Sequence, residues 1–92
     1  MTRNEYQTCM GWIAANIRES PHENRYQTSY FLKHCLERDT GIYTDNETFK
    51  AMMVDAGHKP VDASKRNTKY KIKRISVEAN KLIQEGGAAY GR

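Results

Sequence analysis

The residues best equipped for chemistry are the cations between Lys59 and Arg74. Lys59, Lys65, Arg66, Lys69, Lys71, Lys73 and Arg74 stand in that window against Asp62 alone, so it carries +6, while the whole chain carries +4 and the remainder sums to −2. Charge segregated in one segment makes a local field that the chain average hides, and it favours an anionic partner meeting one face. From Thr68 to Ile75 the residues alternate strictly, placing Tyr70 and Ile72 on one face of an extended segment and Lys69, Lys71 and Lys73 on the other. Lysines projecting from one side of a strand neutralise phosphates and release condensed counterions. Lys65, Arg66 and Asn67 form the expected tip, which would follow a nucleic-acid backbone or enter a minor groove, where arginine is better suited than lysine. The plainer reading of the same window is a solubilising surface strand.

Other candidate groups are weaker. Asn46 and Lys50 fall on the outward side of the expected third helix, where they could read base edges or phosphates. Asp45, Glu47 and Asp55 share that surface and have the wrong sign for a phosphate field, so a solvated face with dipole-compensating acids competes with a recognition helix. His34 adjoins Cys35, but neighbouring helix residues point about a hundred degrees apart and cannot act as base and nucleophile. Cys35 is expected in the core and His34 at its boundary. His22, His58, Cys9 and Cys35 are scattered along the chain, so no metal site is expected. Glu37 and Asp39 would need an enclosing pocket for acid-base work, which a small domain seldom builds. Tyr26, Tyr30, Tyr43 and Tyr70 have rings that could stack on bases, although their positions at helix starts and turns suit packing with the hydroxyl left wet. Met52 and Met53, at helical spacing with Phe49, read as core. Neither catalysis nor a cofactor is expected.

The elements that must position these groups can be read from caps and periodicity. Thr2 and Glu5 have capping-box spacing, and Tyr6, Cys9, Met10, Ile13 and Ile17 recur on one helical face, with Trp12 off its centre and Ser20-Pro21 as the stop. Thr28 caps a second helix bearing Phe31, Leu32, Cys35 and Leu36, which Gly41 closes. Thr44 and Glu47 have capping-box spacing for a third helix bearing Phe49, Met52, Met53 and Ala56 before Gly57. The turn-like Ala-Ser-Lys-Arg-Asn then predicts a two-stranded hairpin, and Ser76 starts a final helix with Ala79, Leu82 and Ile83 that Gly86-Gly87 stops. Residues 88–92 read as a flexible tail.

A chain of 92 residues has room for one domain and one core, here expected over residues 1–87. The fold class is therefore α+β and mostly helical: a winged helix-turn-helix-like three-helix core with a basic β-hairpin and a C-terminal helix. Two cysteines outside any C-x-x-C pair suggest neither a disulfide scaffold nor structural zinc, and fit a reducing compartment. No stretch approaches the roughly twenty apolar residues that span a bilayer, and the N-terminal MTRNEYQ lacks a secretory pattern. A cytoplasmic protein with no membrane partner is expected.

Thr28 to Asp62 carries a T-S-Y-x-L-K-H segment, a G-x-Y turn at Gly41, an N-x-x-F-K helix from Asn46 and an A-G-x-K-P exit at Ala56. In these motifs it resembles a family of short uncharacterised proteins from bacterial phages, prophages and plasmids, with His58 where that family has an aromatic residue. The resemblance implies a mobile-element origin and a bacterial host cell. Two kinds of partner follow: DNA or RNA phosphate, or a host protein complex that handles nucleic acid and that a small phage inhibitor would engage, in the manner of an anti-defence or anti-CRISPR protein.

Overall fold

A computed structural model describes residues 1–75, and three helices carry the architecture: α1 (Arg3–Asn16), α2 (Ser29–Thr40) and α3 (Asn46–Asp55). The expected final helix and the 88–92 tail lie outside the described residues. Thr2 and Glu5 form the capping box that starts α1, with the Thr2 hydroxyl accepting from the Glu5 amide at 3.1 Å and the Glu5 carboxylate accepting from the Thr2 amide at 2.8 Å. The helix stops at Asn16, well before Pro21, because Ile17 turns extended and the next residues bond elsewhere. The Arg18 carbonyl accepts from the Lys73 amide at 2.8 Å, and the Ser20 amide donates to the Lys71 carbonyl at 3.0 Å. Backbone pairing with the basic segment, not the proline, sets this end.

Thr28 caps α2, its hydroxyl accepting from the Phe31 amide, and Gly41 closes it at φ 73°, the left-handed conformation glycine adopts without steric cost. For α3 the cap lies one residue later than the spacing of Thr44 and Glu47 suggests. Asp45 accepts from the Thr48 amide at 2.7 Å, while Thr44 is buried and its own amide donates to Glu37 at 2.9 Å. Hydrogen bonding from the Thr48 amide and side chain holds the Asp45 carboxyl below its usual pKa.

The helices enclose one core of Cys9, Trp12, Ile13, Ile17, Leu32, Cys35, Leu36, Phe49, Met52 and Met53, completed by Tyr70, Ile72 and Ile75 from the basic segment. Each such side chain taken from water contributes roughly 1.5 to 3 kcal/mol, so the segment is part of what holds the helices together. Trp12, expected at the boundary, is only 8% exposed and keeps its indole N–H at the rim, donating to Asp39 at 2.8 Å. The Tyr6 hydroxyl donates to Asp55 at 2.7 Å and ties α1 to α3.

The expected β-hairpin is not formed: no strand occurs among the described residues, which make a compact three-helix domain. Two isolated antiparallel bridges stand in its place, Pro60 with Tyr70 and Glu19 with Ile72. The cause is the way backbone bonds are shared out. Pro60 has no N–H to give, and between the two arms the backbone bond is Val61 amide to Lys69 carbonyl at 2.9 Å. The far side of the same segment bonds to the α1–α2 connection, through Ser29 to Thr68 at 2.7 Å and Asn24 to Tyr70 at 2.9 Å. Partners change every residue or two, so no ladder builds.

Candidate functional site

The alternation produces the two faces it implies from Thr68 to Lys73 even without a strand, and it breaks at Arg74 and Ile75, where the parity reverses. Thr68, Tyr70, Ile72 and Ile75 are buried; Lys71, Lys73 and Arg74 are exposed, and Lys69 is half-buried. Lys59, Lys65 and Arg66 are exposed as well. Among the described residues none of these cations sits in an ion pair; the close pairs are Lys33 with Glu37, His34 with Glu37, and Lys50 with Glu47. Asp62 makes no close ion pair with these cations among the described residues, its carboxylate being turned into the local turn. It accepts from the Ser64 hydroxyl at 2.6 Å and the Ser64 amide at 3.0 Å, and these bonds, helped by the charge of Lys65, keep its pKa low.

Several of the cations line shallow clefts among the described residues. Lys59 and Lys71 line one of about 500 Å³ together with His58 and Pro60. Lys65 and Lys69 line a second of about 260 Å³ that also contains Glu23 and Asp62. Arg66 lines a third of about 360 Å³ with Tyr30, Lys33, Tyr43, Asp45, Asn46 and Asn67. Arg74 lies apart, its guanidinium 4.7 Å from the centre of the Tyr26 ring.

The tip at Lys65 to Asn67 is held against the helices. Asn46 Nδ2 donates to the Arg66 carbonyl at 2.6 Å and to Asn67 Oδ1 at 3.3 Å, and Lys50 Nζ donates to the Lys65 carbonyl at 2.9 Å. Asn46 and Lys50, the two candidate readers on α3, are thus engaged in fixing the loop, and what α3 leaves outward includes Glu47 and Asp55. At Lys65 and Arg66 the backbone carbonyls carry these bonds, so the two side chains stay in solvent.

Lys33 belongs to the site on geometry, and the sequence reading passed over it. It is 8% exposed; its Nζ lies 3.3 Å from Glu37 Oε1, 5.3 Å from the Tyr30 ring centre and 6.0 Å from that of Tyr43. Its spacing of three from Tyr30 on a helix was the available signal, since such residues share a face. Glu37 gathers the surrounding donors, accepting from Lys33 and from the Thr44 amide at 2.9 Å, with His34 Nδ1 3.1 Å from its carboxylate. His34 packs edge-on against Tyr30 with ring centres 4.4 Å apart.

The thiols have the character of core groups. Burial pushes Cys35 up to about 12 and raises Cys9, so neither supplies a thiolate near neutral pH. Among the described residues no three of His, Cys, Asp and Glu come close enough to hold a metal ion, and no helix is long and apolar enough to cross a membrane.

Comparison with known proteins finds no match to this chain, whether among family models, curated proteins or solved structures.

Proposed function

We propose that the protein is a non-catalytic nucleic-acid-binding module of mobile-element origin that holds phosphates with the segment from Lys59 to Arg74. One observation carries this reading: the cations of the segment, all exposed but the half-buried Lys69, have no ion-pair partner among the described residues and stand on a backbone anchored in the core. Unpaired surface cations repel one another and contribute little to stability, whereas a polyanion neutralises several of them at once and gains by counterion release. Backbone contact suits the arrangement better than base reading by α3, whose Asn46 and Lys50 have partners within the chain.

The test is a titration of labelled duplex DNA, single-stranded DNA and RNA at low and at physiological salt. The control reverses charge at the exposed Lys65, Arg66, Lys71 and Lys73 together. Binding should weaken by about a hundredfold in the control, in keeping with the loss of several phosphate contacts. Its thermal unfolding should stay close to that of the unaltered protein, because exposed charges contribute little to stability. Absence of binding to any nucleic acid at either salt would contradict the proposal and turn the search to a host protein complex.

A further inference from the structure

We infer that the cleft between Tyr30 and Tyr43 is a stacking site for unpaired bases, so that the preferred ligand is a single strand and not a duplex. The inference rests on the phosphate-binding role of the basic segment and adds to it the form of nucleic acid. Tyr43 is 78% exposed and Tyr30 50%, an unusual degree of exposure for two large rings that line one cleft. Lys33 lies between them within cation–π distance of both, which holds one side of each ring and leaves the remainder to solvent. Tyr30 is fixed further by its edge contact with His34. Tyr30 thus has two such contacts and Tyr43 one.

Arg66 opens onto the same cleft, and its carbonyl is held by Asn46, so a cation for the phosphate stands beside rings for the base. That combination of a cationic track and aromatic platforms is the chemistry by which single strands are bound without sequence preference. A duplex cannot use it, because its base faces are covered by their neighbours along the stack. The acid in the cleft does not oppose the ligand strongly. Asp45 is directed at the N-terminus of its own helix, where it accepts from the Thr48 amide. Lys33 is already paired with Glu37, so Arg66 and the adjoining Lys65 supply the charge.

The experiment compares the full chain's affinity for a short oligothymidine, for an abasic backbone of equal length and for a duplex. The same ligands are titrated against Tyr43→Ala, Tyr43→Phe and the double variant Tyr30→Ala/Tyr43→Ala. The unaltered chain should prefer oligothymidine to the abasic strand by roughly tenfold or more, the range expected for stacking of one or two bases. Tyr43→Ala should lose most of that preference and the double variant all of it. Tyr43→Phe should keep it, since the ring and not the hydroxyl does the stacking. Affinity for the abasic strand should be the same in every variant. Equal binding of the base-bearing and abasic strands, or tighter binding of the duplex, would overturn the stacking site and leave the phosphate-binding reading standing. No binding to any of the three would overturn both.

Discussion

The outward side of α3 and the segment from Lys59 to Arg74 both display polar and charged residues, yet they differ in where those groups are directed. Asn46 and Lys50 on α3 donate to the backbone at Lys65 to Asn67. The cations of the basic segment have no ion-pair partners among the described residues, although the opposite face of that segment is as buried as any helix. A polar residue at a recognition-helix position is available to a ligand only if the fold does not need it. Here the fold needs the α3 residues to set the loop, and the side chains of Lys65 and Arg66 are left exposed.

The largest effect that sharpens this contrast comes from the inward side of the basic segment. Ile72→Ala should destabilise the protein by about 2 to 4 kcal/mol in denaturant unfolding, as expected for a buried isoleucine. A change below about half a kcal/mol would mean that the segment is an appendage, and the contrast between its two faces would fail. Next in size is Glu37→Ala, which strips a nearly buried lysine and the Thr44 amide of their acceptor. A loss of roughly 1 to 3 kcal/mol is expected, the cost of leaving buried donors unsatisfied. If stability were unchanged, the pairing of Lys33 would not be part of the fold and its charge would join that of the basic segment.

The smallest expected effect is at Tyr70, whose ring is fully buried while its hydroxyl has no hydrogen-bond partner among the described residues. Burial also pushes its pKa up to about 12. Tyr70→Phe removes an unsatisfied polar atom without changing the packed ring, so stability should hold or rise by about 1 kcal/mol. A clear loss on thermal unfolding would show that the hydroxyl has a partner and that the inward face is more polar than described.

Much of this architecture was legible where the signals are local. Thr28 and Gly41 bound α2 as their cap chemistry implies, and the alternation around Tyr70 and Ile72 assigns the buried face correctly. The cap of α3 was misplaced by one residue because Thr44 with Glu47 and Asp45 with Thr48 both have cap spacing, and only the tertiary bond from Thr44 to Glu37 decides between them. The end of α1 and the absence of strands depend on which backbone groups the 60–75 segment meets, and periodicity carries no information about pairing partners. The engagement of Asn46 and Lys50 was invisible for the same reason: their partners lie far along the chain. Tyr30 and Lys33 were legible as helical neighbours, but bringing Tyr43 to them takes the turn at Gly41 and the α3 start.

The central claim is that the cations of the basic segment are free to meet phosphates while the polar groups of α3 are not. The most direct test is the slope of log affinity against log salt concentration for a single-stranded oligonucleotide, measured for the unaltered chain, Lys71→Ala and Asn46→Ala. Lys71→Ala should reduce the slope by about 0.7, the loss of one phosphate contact on a single strand, and Asn46→Ala should leave it unchanged. A slope near zero in the unaltered chain, or an equal reduction in both variants, would contradict the account.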